Sequence, residues 1–321
     1  MRFSIIVPVY NAAAFLDATV ASVVQQSFAD WELLLMDDGS TDGLTGALCD
    51  QIAAQDGRIR SLHKSNGGAG DARNAAFSYA TGDYILFLDS DDFLEPQALE
   101  MLSAKLSERP VDICFFGFII QKGQSEAVEA PSGYPYEKIF RLQDAPAQLL
   151  GAPSAWCAAW KRSLFLDSDI RFRERGWGED LAMTRKMLTQ ASSMVLIKEP
   201  LYRYVIHEGS ITTSRNLNAN AEIMDALEDV LTWFREQNLF DLYQDELCAL
   251  CLNNIYDACV RIVKADTNHP LPKQLLSFAK RWFPQYKESA YIRQWDAKRK
   301  LVMYLLEKGH FRTAQKLFRK A

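Results

Sequence analysis

The chain has 321 residues, of which 48% are hydrophobic and 24% charged, with a formal net charge of −5; that is enough for one large domain or a domain with an appendage. No apolar run approaches the ~20 residues of a membrane-spanning helix, no signal peptide is visible, and the six cysteines, Cys248 and Cys251 included, show neither a disulfide framework nor a zinc spacing, so a cytoplasmic protein with reduced thiols is expected. The acidic body and the lack of a recognised motif argue against nucleic acid.

Phe3 to Val9 is an apolar run that predicts a strand. Asn11 then opens a helical stretch over Ala12 to Gln26. Trp31 to Met36 predicts a second strand, Leu44 to Gln55 a helix, Arg58 to His63 a third strand, Ala69 to Ala80 a helix and Asp83 to Leu88 a fourth strand. This alternation predicts an α/β fold, an open and mostly parallel sheet with helices on both faces. Ligands bind such sheets at the carboxyl ends of the strands, where the polar clusters fall: Tyr10-Asn11, Asp37 to Ser40, Lys64 to Gly70 and Asp89 to Asp92.

Further on, Gln97 to Leu106 reads as a helix and Asp112 to Ile120 as a strand. The polar stretch Gln121 to Arg141 reads as a surface excursion. Trp156 to Phe165 and Met194 to Leu201 are strand candidates around a helix over Glu179 to Gln190. From Asn218 the pattern is helical: 218–237, 241–264, 271–282 and 289–319, with a break near Gly309. The expected domains are 1–214 and an all-helical region over 215–321.

A strand that ends in Asp89-Ser90-Asp91-Asp92 cannot bury that end in a dry core, because unpaired carboxylates there would cost several kcal/mol or take up protons. Asp89 and Asp91 leave the same side of an extended chain. The pattern suits a hard divalent cation, Mg²⁺ or Mn²⁺, that also binds phosphate oxygens, or else an acidic turn that caps the next helix. Gly67 to Gly70 lacks the spacing of a dinucleotide fingerprint. Arg73 follows it at a helix start, placed for a phosphate or pyrimidine or for a salt bridge to an acidic cluster.

Five segments together resemble the family 2 glycosyltransferases of the GT-A fold: Ser4-Ile-Ile-Val-Pro-Val-Tyr-Asn11, Asp37-Asp-Gly-Ser-Thr-Asp42, Asn66 to Asn74, Asp83 to Asp92 and Trp177-Gly-Glu-Asp180. The resemblance covers about residues 1–214. It implies an inverting transfer from a nucleotide-sugar donor, UDP-linked, to a saccharide or lipid-linked acceptor in polysaccharide or glycolipid biosynthesis. It places Pro8, Tyr10, Asp38, Arg73, Asp89 and Ser90 at the donor nucleotide, with Tyr10 stacked on the base and Asp38 accepting from a uracil imide. Asp89 would reach the ribose or the metal, and Asp91 the metal, with His207 a further ligand or a phosphate contact. Asp180 would be the general base, Glu179 its alternate, and Trp177 an apolar face for a sugar ring. Asp37 and Asp42 read as structural. Trp156, Trp160, Trp177 and the 121–141 excursion are expected to shape the sugar and acceptor pocket.

Two rival readings remain. A sugar nucleotidyltransferase would want a glycine-rich signature with Arg and Lys near the amino end, and Arg2 alone does not supply it. A degenerate, binding-only scaffold would have no need of carboxylates at 38, 89, 91 and 180. The last 51 positions, 271–321, hold thirteen basic and three acidic residues, a charge of +10, whereas residues 1–270 carry −15. Cations mixed with Trp282, Tyr291, Trp295 and Tyr304 suit a peripheral contact with an anionic membrane surface, or a helical bundle with a homodimer contact.

Overall fold

A computed structural model of the chain describes residues 1–151, 154–176, 178–207 and 217–318. They fall into two compact units, Met1–Ser214 and Arg215–Ala321. In the first unit the elements run β1 Phe3–Val9, α1 Leu16–Val24, β2 Trp31–Asp37, α2 Thr45–Ala53, β3 Ile59–His63, α3 Ala69–Ala76, β4 Tyr84–Phe87, β5 Phe93–Leu94, α4 Ala98–Glu108, β6 Ile113–Lys122 and β7 Ser125–Glu129. There follow β8 Ala158–Lys161, a single turn α5 Ser163–Leu166, α6 Glu179–Gln190 and β9 Met194–Val205.

One sheet holds all nine strands, in the order β3-β2-β1-β4-β8-β6-β9-β5, with β7 on β6. Every residue of β1 and β2 is buried, as continuous apolar strands must be when both faces of a parallel sheet are covered. β1 pairs in parallel with β2 and β4, and β2 with β3. The chain winds outward from β1 to β3 and then returns to the other side of β1 for β4. That reversal opens a crevice beyond the carboxyl ends of β1 and β4.

Past β4 the sheet is mixed, where the sequence predicted a mostly parallel one. β8 is antiparallel to β4 and β6, and β5 to β9. A parallel pair needs a crossover of a dozen or more residues, and here only β6 and β9 have one, through α6. The excursion after Gln121 begins as a hairpin arm: β6 turns at Gly123, φ 59, into β7, whose five residues are all exposed. Trp156 to Phe165 is not one strand. It is β8 followed by α5.

Two glycines set close approaches near the crevice. Gly39 has φ 68, and a Cβ there would lie 2.8 Å from the Asn66 amide nitrogen. A Cβ on Gly70 would lie 1.9 Å from the Arg173 carbonyl oxygen. α3 therefore packs directly on the 172–175 segment, which Asn74 also grips by exchanging both amide bonds with the Phe172 backbone, 2.9 Å each.

The second unit is helical: α7 Glu222–Glu236, α8 Gln244–Ala265, α9 Leu271–Trp282, α10 Ala290–Arg293, α11 Ala297–Glu307 and α12 Phe311–Phe318. Leu227, Val230, Phe234, Leu247, Cys251 and Ile255 are fully buried in it. The predicted helix over 289–319 breaks twice. Asp296 caps α11 by accepting from the Arg299 amide at 2.7 Å, and Gly309, φ 73, ends it. All six cysteines are buried and free. No helix among the described residues is long and apolar enough to cross a membrane.

Gly70→Ala separates packing from propensity. Helix propensity alone favours Ala by ~1 kcal/mol, whereas overpacking costs ~1–3 kcal/mol. Urea unfolding should show a net loss of stability; a gain would show that α3 does not bear on Arg173.

Candidate active site

The strand ends deliver the site. β1 runs into Tyr10, β2 into Asp38 and β4 into Asp89, while α6 opens with Glu179 and Asp180 after Gly178 in the left-handed region. Arg73, on α3, joins them. Its Nη2 donates to Asp89 Oδ1 at 2.7 Å, and its Nη1 donates to Glu179 Oε1 at 3.2 Å and Asp180 Oδ1 at 3.3 Å. The guanidinium lies 5.2 Å from the Phe172 ring centre and the residue is 3% exposed. Burial works against its charge, but Asp180, Asp89 and Glu179 raise its pKa above the ordinary arginine value. The Arg73 expected to meet a phosphate or pyrimidine is thus committed to carboxylates, the salt-bridge alternative.

Asp180 is pushed up to about 7, by burial first and then by Glu179 and Asp89, with Arg73 pulling the other way. Its Oδ2 accepts from the Ala155 amide at 3.2 Å. A carboxylate poised near neutrality, with part of its surface open to the crevice, is suited to accept a proton.

The acidic turn is built around Asp92, which is fully buried and pushed up to about 8 by burial and Asp89. Asp92 Oδ2 accepts from the Tyr202 hydroxyl at 2.6 Å, and Oδ1 accepts from the Val205 amide at 2.8 Å. The same hydroxyl accepts from the Asp89 amide at 3.2 Å. Asp92 therefore clasps β9, whose continuation brings His207 Nε2 to 2.8 Å from Asp91 Oδ2. His207 stacks on Phe15 with ring centres 4.5 Å apart, and burial raises the Asp91 pKa. Among the described residues no three His, Cys, Asp or Glu side chains are already grouped as a complete ligand set. A carboxylate oxygen touching an imidazole nitrogen is nevertheless a donor pair that fits Mn²⁺ or Mg²⁺ once phosphate oxygens and water complete the shell.

Asp38 departs from expectation. It is 2% exposed, and its oxygens accept from Lys64 Nζ at 2.8 Å, Gly67 N at 2.9 Å, Gly68 N at 2.7 Å and Asn66 Nδ2 at 3.1 Å. Four donors fill a carboxylate, so Asp38 binds the glycine-rich loop and is not left open to a uracil imide. Tyr10 is 48% exposed, which leaves its ring available for stacking. Pro8 is buried in β1 opposite Met36, and the Ser90 carbonyl accepts from Thr19 Oγ1 at 3.0 Å. Asp37 and Asp42 serve the backbone, accepting from the Ser40 amide and from the Leu44 and Thr45 amides.

Trp156 and Trp160 are both core residues. Trp160 is fully buried with its indole N–H on the Ala155 carbonyl, and Trp156 stacks on Tyr202 at 4.4 Å. Trp177 lies outside the described residues. Sequence reasoning missed Lys64 and Asn66 as holders of Asp38, and Tyr202 as the bridge between Asp89 and Asp92. Only proximity in the fold identifies them.

Residues 4–168 match the family described as Glycosyl transferase family 2. The chain is 27% identical over 242 residues to Glycosyltransferase GlyA of Streptococcus pneumoniae, across 72% of this chain and 34% of that protein. It is 30% identical over 220 residues to Glycosyltransferase GlyG of the same organism, across 65% and 72%. The fold is shared with Staphylococcus aureus TarS 1-349 in complex with UDP-GlcNAc, at a TM-score of 0.74 and 20% identity, covering 100% of this chain and 92% of that one. The chain thus spans about a third of the length of GlyA.

The raised Asp180 pKa has a consequence for folding. Between the unfolded carboxylate value of ~3.9 and the folded value of about 7, the native state binds more protons, so stability falls as pH rises through that window. Asp180→Asn should leave stability unchanged near pH 4 and raise it by ~2 kcal/mol near pH 8, read by urea unfolding at both. A less stable variant near pH 8 would show that the ion pair with Arg73 outweighs the cost of burial.

Proposed function

As the chain belongs to glycosyl transferase family 2, we propose that it moves a sugar from a UDP-linked donor to a hydroxyl of a saccharide or lipid-linked acceptor, with inversion in a single displacement. One observation carries the reading: Asp89 and Asp180, from separate elements, meet on the same guanidinium of Arg73. The acidic strand terminus and the carboxylate poised near neutrality therefore face one crevice. TarS was solved with UDP-GlcNAc, which supports a uridine diphosphate as the carrier.

In this reading the nucleobase stacks on Tyr10 beside the backbone at Pro8, and Asp89 and Ser90 meet the ribose side of the donor. Asp91 and His207 would hold Mn²⁺ or Mg²⁺, which supplies positive charge to the departing diphosphate. The acceptor hydroxyl gives its proton to Asp180 as its oxygen forms the new bond to the anomeric carbon. The bond from that carbon to the diphosphate oxygen breaks on the opposite face, and its electron pair leaves with UDP. Arg73 fixes the direction of Asp180 and Asp89. Glu179 shares the same cation and is the alternate base, and Trp177 is the proposed sugar-facing ring.

The basic helices of the second unit suit an anionic partner better than a homodimer contact, since two segments at +10 each repel. A peripheral place at the cytoplasmic face of a membrane is one form of that partner.

Two variants should part chemistry from binding. Asp180→Asn should lower kcat by ~10²–10⁴-fold, the range of a lost general base, with the UDP affinity unchanged in calorimetry with Mn²⁺. Asp91→Ala should instead weaken UDP binding by about tenfold in the presence of Mn²⁺ and have little effect in its absence. Equal loss of UDP affinity in both would overturn the division of roles. Thermal shift against a panel of nucleotide sugars should select the UDP-linked members; preference for a guanosine or thymidine carrier would refute the choice of uridine.

A further inference from the structure

The second unit holds a groove to which the transfer reading assigns no residue. One hollow of about 290 Å³ is lined by Tyr286, Lys287, Arg293, Trp295, Lys300 and Tyr304, among others. An adjoining hollow shares Tyr286, Lys287, Tyr304 and Glu307 with it and adds Lys280 and Lys308. The shared walls make one trough.

Its charge is not balanced. Glu307 is the carboxylate common to both hollows, and it is already spent: its side chain is 8% exposed, and it is paired with Lys280 at 3.1 Å and Lys287 at 3.4 Å. Three further cations have no carboxylate. Among the described residues, Arg293 makes no side-chain hydrogen bond or ion pair. Lys300 donates only to the Arg293 carbonyl, at 2.6 Å. Lys308 only lies 5.9 Å from the Tyr304 ring centre. Tyr304 is 51% exposed, so a large ring stands uncovered among these charges. Glu288 is the other carboxylate on the walls, so five cations face two acids, and unpaired cations around a half-exposed ring form a surface complementary to repeated anions on a carbon-rich chain.

We propose that this trough binds an extended polyanion, a glycan or polyol chain that carries phosphate or carboxylate groups along its length. The two hollows share walls and together make a recess, which receives a thin chain; an anionic bilayer is the rival occupant that the vesicle arm of the test excludes. Naming that chain as the acceptor rests on the transferase reading; its binding does not.

The test uses the full-length chain without donor. Binding of fluorescent dextran sulfate is compared with neutral dextran, pyrophosphate and vesicles of phosphatidylglycerol. The variant Arg293→Gln/Lys300→Gln/Lys308→Gln is set against Lys273→Gln/Arg312→Gln/Lys316→Gln, which removes the same charge from exposed positions of the same unit outside the groove. All six side chains are exposed, and thermal melting confirms that both variants fold. The groove variant should lose dextran sulfate affinity by about tenfold and the control by less than about threefold. Equal losses would reduce the effect to diffuse charge. Vesicle binding that exceeds dextran sulfate binding and vanishes in the groove variant would make the trough a membrane contact, and pyrophosphate binding as tight as the chain's would make it a single-anion pocket; either overturns the proposal. Because no turnover is read, failure here leaves the assignment of Asp180 and Asp91 as it stands.

Discussion

Arginine has no neutral form to fall back on at any ordinary pH, and Arg73 is buried. Its charge must be met where it stands, and three carboxylates meet it: Asp89 after β4, and Glu179 and Asp180 at the start of α6. Remove the carboxylates and a buried cation is stranded; remove the cation and the three acids repel one another. This mutual requirement fixes where α6 begins relative to β4. Burial, with Glu179 and Asp89 close by, is why Asp180 holds its proton near neutrality despite that cation.

A second constraint runs across the crevice. Asp92 is spent on Tyr202 and Val205, so the acidic turn and β9 form one piece, and His207 arrives at Asp91 because β9 has nowhere else to lead. The two devices divide the labour. One carboxylate of the turn faces the buried arginine, one faces the histidine, and the third has no solvent face at all. Three neighbours of one chemical type thus stand in three different environments.

Much of this was legible in the residues. The strand–helix alternation through Leu88 could be read because each strand is a short apolar run that stops at a polar cluster, and that pattern has a direct physical cause in burial. That Asp89 and Asp180 share one cleft followed from motif resemblance, and both meet Arg73. What could not be read was partnership. Asp37 and Asp38 are adjacent and chemically identical, and only the fold shows that the second one grips Lys64 to Gly68. Asp92 looked like a cap because nothing periodic links it to Tyr202. β7 was hidden because all of its residues are exposed and charged ones interrupt its alternation. Trp156 and Trp160 suggested a sugar platform by residue type, yet large aromatics are more economically used as core.

The clasp of Asp38 on the glycine-rich loop has one further consequence. With Gly67 and Gly68 amides, Asn66 and Lys64 all drawn to one buried carboxylate, the loop is rigid before any nucleotide arrives. For the nucleotide donor proposed above, such a loop would cost no ordering entropy on binding and would select as a preformed mould, not as a closing hand.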